Sequence, residues 1–150
     1  MISDDETIWD AVFDREFTRL DHLIRDDPAL PDHLGDYFHH AAAQGDIELA
    51  TFFLDRGVDI NSRNEEGETA FSYSCAYDQR EMARFLVDRG ADINTADAGG
   101  GSPLDWAVCH ASQEFREWLT AIGGKRNDDS YEPWPPPKTN NATCEGAHPE

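Results

Sequence analysis

The sequence predicts an all-α solenoid of about four helix-turn-helix units joined by short extended fingers, and three observations predict it. First, the chain repeats itself. Residues 45–61 (GDIELATFFLDRGVDIN) align with residues 78–94 (DQREMARFLVDRGADIN), so Gly57, Asp59 and Asn61 recur as Gly90, Asp92 and Asn94, 33 residues later. A fixed period of this length is the mark of stacked supersecondary units. Second, apolar residues within each block recur at helical spacing. Third, Gly57 and Gly90 stand where a helix must end in a left-handed turn.

The N-terminal unit is degenerate. Residues 7–13 (TIWDAVF) read as a short helix, with Ser3 and Glu6 or Thr7 and Asp10 as a capping box. Phe17, Leu20, Leu23 and Ile24 then form the stripe of a second helix. Arg15 holds the place of Gly45, but 30 residues earlier rather than 33, so the link through Pro28 and Pro31 is shortened. Residues 1–36 are therefore expected to be a capping repeat and its link.

Three fuller units follow over residues 36–125. Their short helices start in the blocks DYFHHAAAQG (from Asp36), TAFSYSCAYD (from Thr69) and SPLDWAVCHA (from Ser102). Ala41, Ala42 and Ala43 allow close helix approach. Ile47, Leu49, Ala50, Phe52, Phe53 and Leu54 give the second helix of the first unit a broad apolar face. Met82, Ala83, Phe85, Leu86 and Val87 do the same one period on. The last unit ends at Gly123-Gly124-Lys125 with no Asp or Asn, as suits a terminal cap. Residues 126–150 hold Tyr131, Trp134 and a run of prolines, and an extended or disordered tail is expected. Tyr131 and Trp134 folding back over the last repeat, or a polyproline ligand, are the other readings.

These blocks resemble the ankyrin repeat. The family's Thr-Pro-Leu-His motif is matched by Asp36-Tyr37-Phe38-His39, Thr69-Ala70-Phe71-Ser72 and Ser102-Pro103-Leu104-Asp105. Its Gly-Ala-Asp-Val-Asn motif is matched by Gly57-Val58-Asp59-Ile60-Asn61 and Gly90-Ala91-Asp92-Ile93-Asn94. The resemblance covers residues 6–124. It implies a non-catalytic protein–protein interaction module that binds through finger tips and the exposed side of the short helices. Mapped here, that surface takes Phe13 and Asp14, Ala43 and Gln44, Ala76 and Tyr77, and Cys109 and His110 from the helices. It takes Glu65, Glu66, Glu68 and the stretch from Asp97 to Gly101 from the fingers, and Asp32 and His33 from the link. Phe13 and Tyr77 are aromatic where packing does not demand it, which suits binding hot spots.

Composition narrows the partner. The formal net charge is −19, from 31 acidic and 12 basic residues. Residues 1–36 alone carry 11 acids against 3 bases, a net of −8. Such a surface repels nucleic acid and anionic membranes and attracts a basic protein. A monomer is expected in the partner's absence. The acidic N-terminus is the wrong charge for a signal peptide, and no stretch nears the ~20 apolar residues of a membrane span. A cytoplasmic protein with reduced thiols follows from this reading.

No constellation points to catalysis, a cofactor or a metal. His39 and His40 are adjacent and so diverge by about 100° on a helix. His39 takes the motif histidine's place, which the resemblance makes a structural hydrogen-bonding residue. Glu65, Glu66 and Glu68 flank Gly67 on an exposed finger, where pKa shifts should be small. The stretch from Ala98 to Ser102 lacks the lysine of a phosphate loop. Cys75 reads as a core thiol and Cys109 as more exposed. Trp118 reads as core and Trp106 as core edge, and His110 as a surface residue.

The leading functional expectation is an inhibitor of a basic toxin or effector, in the manner of an immunity protein. Two lysines against ten arginines, with abundant aspartate, is a bias of GC-rich bacterial genomes. Two alternatives stand beside it. One is an adaptor or accessory subunit that stabilises or localises an enzyme. The other is an acidic nucleic-acid mimic.

Overall fold

The computed structural model describes residues 4–27 and 33–127, with side chains described from Ile8 onward. Asp32, the prolines of the link, Ser3, the side chains of Glu6 and Thr7, and the tail beyond Asn127 lie outside that set; Thr7 falls within α1, so it does not start that helix. The described residues form eight helices and no strand: α1 (Asp4–Phe13), α2 (Phe17–Asp26), α3 (Leu34–Gln44), α4 (Ile47–Asp55), α5 (Ala70–Ala76), α6 (Arg80–Asp88), α7 (Pro103–His110) and α8 (Gln113–Ala121). They pair as four helix-turn-helix units; the first helix of each is the short helix of the sequence pattern, although α3 (11 residues) is longer than α4 (9 residues). The short helices stack on one another, α3 on α5 and α5 on α7, and each packs on the second helix of its own unit.

Local chemistry sets the helix starts. Asp46 Oδ1 accepts from Leu49 N at 3.0 Å and begins α4. Thr69 Oγ1 accepts from Ser72 N at 3.2 Å and begins α5. Ser102 and Asp105 form a reciprocal capping box at α7, with Pro103 in the first turn. Between the first and second helix of a unit the backbone turns left-handed at Arg15 (φ 56°), Gly45 (φ 72°) and Asp78 (φ 54°). Arg15 thus occupies the position of Gly45, as the alignment implied.

One apolar core runs the length of the stack. Leu20 from α2, Phe38 from α3, Phe53 from α4, Leu86 from α6 and Leu119 from α8 are all fully buried. Cys75 is fully buried too, and burial pushes its thiol far above the ordinary range. Cys109 departs from expectation twice. It is buried at 5% exposure and it is disulfide-bonded, where an exposed, reduced thiol was expected. Trp106 is also buried, and Trp118 packs half-buried against the core.

The fingers are built of turns held by their neighbours. Asp59 Oδ1 accepts from Asn61 N at 2.9 Å, and Asp92 Oδ1 accepts from Asn94 N at 2.9 Å. Asn61 Oδ1 then accepts from Asp92 N at 2.8 Å, and Asn94 Oδ1 accepts from Lys125 N at 2.8 Å. Lys125 follows the path of Asp92 although its side chain does not match, because only its backbone N–H is used. The finger tips are also tied. Ala98 N donates to Glu66 O at 2.8 Å, and Arg63 Nη2 donates to Ala96 O at 2.6 Å.

The expectation of a solvent-facing tip fails at Asp97, which is 8% exposed. Its Oδ1 accepts from Gly99 N and Gly101 N, both at 2.9 Å, and its Oδ2 accepts from Trp106 Nε1 at 2.9 Å. One carboxylate therefore shapes the turn and anchors a core aromatic. Gly101 and Ser102 are buried with it, so this stretch is not a loose loop.

The last unit closes on a charge. Asp105 is fully buried and accepts from Ser102 N (2.9 Å), Arg126 Nε (2.8 Å) and Asn127 N (3.1 Å). Burial opposes its ionisation. The Arg126 guanidinium, the Ser102 and Asn127 amides and the Ser102 hydroxyl outweigh that and hold its carboxyl below the ordinary 3.8.

Two predictions test this frame. Gly57 and Gly67 both have positive φ, 91° and 77°, but a Cβ on Gly67 would sit 2.8 Å from Ala98 N, whereas one on Gly57 meets nothing within 4 Å. Gly57→Ala should cost about 1–2 kcal/mol from the left-handed backbone alone. Gly67→Ala should cost more, about 2–4 kcal/mol, because it also displaces the finger-to-finger bond. Urea unfolding of both variants reads the difference. Asp105→Ala should cost about 3 kcal/mol, since it strands Arg126 and the buried Ser102 amide and hydroxyl. The folded pKa of Asp105 is depressed, so its stabilisation is complete above the unfolded value of 3.8 and is lost as pH falls through the lower folded value. The stability difference between wild type and Asp105→Ala should shrink only below about pH 4, as thermal melts across pH 2–7 will show.

Candidate functional interface

Stacking covers the flanks between neighbouring units. What stays free is the outer side of the short helices and the finger tips beside it. Among the described residues the two large hydrophobic side chains left exposed are Phe13 (65%) and Tyr77 (60%). Both stand on that side, at the ends of α1 and α5.

An aromatic band surrounds them. Phe13 stacks on Trp9 at 5.6 Å between ring centroids, and both meet the His40 ring edge-on, at 5.3 and 5.1 Å. Tyr77 stacks on Tyr73 at 6.4 Å with the rings 14° from parallel, and Tyr73 stacks on His39 at 5.8 Å. One period on, His110 stacks on Trp106 at 5.7 Å. His40 and Gln44, Tyr73 and Tyr77, and Trp106 and His110 occupy the same two places, each pair 33 residues from the last. The band follows directly from the repeat.

Between α3, α5 and the first finger this side opens a cleft of about 310 Å³. Asp36, His39, His40, Gln44, Tyr73 and Tyr77 line most of it, and Asn64 closes the finger end. Tyr73 Oη accepts from Asn64 Nδ2 at 2.9 Å. Burial, with the Glu68 carboxylate beside it, pushes the Tyr73 phenol far up, so it stays protonated. His39 Nε2 donates to Ser62 O at 2.9 Å, which ties α3 to the finger after it, as a structural motif histidine should. Burial lowers the pKa of His39, against the opposing pull of the Ser62 carbonyl, Asp36 and Glu68. Burial likewise lowers His40 and His110. All three rings are therefore neutral at pH 7.

The sequence-derived interface residues divide into groups. Gln44 and Tyr77 line the cleft, and Phe13 adjoins it through His40. Asp14, Glu65 and Glu66 are exposed, and Glu68 is half-buried, with its Oε2 accepting from Asn64 Nδ2 at 3.1 Å. His33 is exposed just before α3. His110 is half-buried, its Nε2 enclosed without a hydrogen bond. Asp97 belongs to the finger's interior, as described above. Asp36, His40 and Tyr73 were not singled out as contact residues. For His40 and Tyr73 the signal available was their 33-residue relation and their place four residues before Gln44 and Tyr77. No group of three or more metal-ligating side chains converges among the described residues. No helix among them is long and apolar enough to cross a membrane.

Comparison with known proteins agrees with this architecture. A family profile described as ankyrin repeats (3 copies) matches residues 38–129. The chain is similar to the probable E3 ubiquitin-protein ligase XBOS32 of Oryza sativa subsp. japonica, 49% identical over 39 residues, which cover 26% of this chain and 8% of that protein. It is similar to the E3 ubiquitin-protein ligase XBAT33 of Arabidopsis thaliana, 34% identical over 77 residues, which cover 48% of this chain and 15% of that protein. The chain thus spans only a small part of the length of these relatives. Among solved structures it resembles the human ASB11 ankyrin repeat domain, with a TM-score of 0.54 and 27% identity, over 59% of this chain and 40% of that one. With three repeat copies matched across more than half of its length and four stacked helix pairs in place, the chain belongs to the ankyrin-repeat family, whose fold is a protein-interaction scaffold and typically non-catalytic.

Proposed function

We propose that this chain binds a basic partner protein across the outer side of its short helices and finger tips, and that it inhibits that partner by occlusion, as a toxin-neutralising immunity protein does. The observation that carries the reading is the placement of Phe13 and Tyr77. Exposed aromatics that continue into a band of further rings on one side of a fold suit an interaction surface. Both residues are exposed at the ends of the first helices, Phe13 beside Asp14 and Tyr77 in the cleft that Asp36 also lines. Aromatic anchors within an acidic surround suit a partner with a basic rim. The charge speeds and selects the encounter, and the anchors slow dissociation. The acidic balance of −19 argues against nucleic acid as the ligand. The interface proposed is Phe13, Asp14, Gln44, Glu65, Glu66 and Tyr77, with His33 and His110 at its margins.

A second reading has its own support. The relatives named above are ubiquitin ligases in which the matched segment is a small part of a longer chain. An adaptor that brings a basic protein to an enzyme would use the same surface. The partner's activity separates the two: inhibition lowers it, adaptor binding leaves or raises it.

The test is affinity capture with the full chain as bait, alongside a Phe13→Ala/Tyr77→Ala bait, followed by calorimetry with the purified partner. A basic protein held by the wild type and lost by the double variant is expected. Each single substitution should weaken binding by about 2 kcal/mol, near 30-fold, typical of an aromatic hot spot, while shifting stability by no more than about 0.5–1 kcal/mol. Partners that bind both baits equally and wash off with salt would mean that net charge does the recognising, as in a nucleic-acid mimic.

A further inference from the structure

We infer that the cleft between α3, α5 and the first finger is a receptor for a single arginine side chain of the partner protein. This rests on the partner-binding reading above and names the chemistry of one part of that interface.

The cleft offers acceptors and ring faces and holds no competing cation. Its lining contains no lysine or arginine. Asp36 supplies a carboxylate, exposed and in no salt bridge among the described residues. Gln44 supplies a further amide oxygen at the opposite end of α3. His39 adds a second, independent indication. Its Nε2 faces a carbonyl, which can only accept, so Nε2 carries the ring proton and Nδ1 is a bare lone pair. That Nδ1 is buried without a partner, in a side chain only 5% exposed that lines the cleft. An uncompensated lone pair within a residue of the cleft wall favours positive charge over negative nearby.

The walls select the cation's shape. Tyr73 and Tyr77 lie 14° from parallel, and Tyr77 is 60% exposed. Flat, nearly coplanar-facing rings suit a planar guanidinium, which stacks and bonds a carboxylate through two N–H groups at once. An ammonium is more strongly hydrated and gains less from either feature. The volume of about 310 Å³ accommodates one long side chain with some water rather than a helix or strand. The resulting arrangement is an arginine laid along Tyr77, its head toward Asp36.

The test needs no partner. The isotope-labelled full chain is titrated at pH 7 with N-acetyl-arginine methylamide, and with the lysine and citrulline counterparts, while the ring signals of His40, Tyr73 and Tyr77 are followed by NMR. Saturable shifts at those rings with the arginine compound are expected. Binding should be several-fold weaker with the lysine compound and absent with the uncharged citrulline compound. Asp36→Asn and Tyr77→Ala, both at exposed positions, should each weaken binding at least fivefold. Equal binding of the citrulline or lysine compound, shifts spread evenly over the acidic surface, or an unchanged affinity in Asp36→Asn would overturn the assignment. Capture of a basic partner whose affinity ignores Asp36→Asn but falls with Phe13→Ala would sink this inference alone. Arginine binding in the cleft without any basic partner in the cell would sink only the proposed function.

Discussion

No helix pair in this chain can bury its apolar residues alone, and every other feature follows from stacking at one fixed register. α4 buries Leu49, Ala50, Phe52 and Phe53 over a broad arc and packs Ile47 and Leu54 beside them, so its apolar face is wider than its own partner helix can cover. The neighbours supply that cover only if each unit is placed one period from the last. The fingers make the placement specific. Their backbone groups cannot pair within a sheet or a helix, so they pair across units, Asn61 to Asp92 and Asn94 to Lys125. A unit shifted out of register would lose the core contact and strand those donors together. Apolar burial drives the stack, and the asparagine bonds choose its alignment.

The same constraint decides where binding can occur. Stacking covers the faces between units, and the short helices turn their remaining side outward. Substitutions there do not disturb the core, so side chains at the two repeated outward positions are free to vary in chemistry. They run from His40 and Gln44 through Tyr73 and Tyr77 to Trp106 and His110. The middle pair leaves the widest aromatic surface open. At the last pair Trp106 turns inward because Asp97 holds its Nε1. One finger carboxylate thus converts an outward aromatic into a core residue and leaves His110 as the outer ring.

That conversion also marks how far the sequence could be read. Period, helix order, glycine turns and the rank of core residues were legible because each depends on spacing alone. Arg15 in the place of Gly45 was legible for the same reason. Asp97 was misread as an exposed tip because finger acids are ordinarily solvated. The signal lay in a second-order comparison. Asn64 bonds Tyr73 and Asp97 bonds Trp106, each nine residues on and each 33 residues from the other. The cleft was only half legible, since Gln44 and Tyr77 were assigned from the outward register. Asp36 and Asn64 come from segments that the pattern treats as a helix start and a finger. Their convergence depends on how deeply the finger returns toward α3, which spacing does not encode. The disulfide at Cys109 was not legible either, because wide cysteine spacing identifies no partner.

One position shows how successive units are tied to the chain that follows them. His39, Ser72 and Asp105 occupy the same place in successive repeats. His39 donates to Ser62 O and so ties its helix to the finger that follows, using a neutral bond. Ser72 bonds within its own cap, to Thr69. Asp105 gathers Arg126 and Asn127 from the chain that follows the last long helix. A neutral bond suffices in the interior, where the next repeat packs over it and adds apolar burial. The segment after α8 is held by polar contacts instead. Charge-assisted bonds are about twice as strong as neutral ones and demand one geometry. A buried carboxylate with several donors therefore fixes the path of residues 124–127 over the end of the core, where apolar contact alone would leave it free to slide. The cost is a desolvated charge that only a complete set of partners makes tolerable, so the C-terminal closure forms as a unit or not at all.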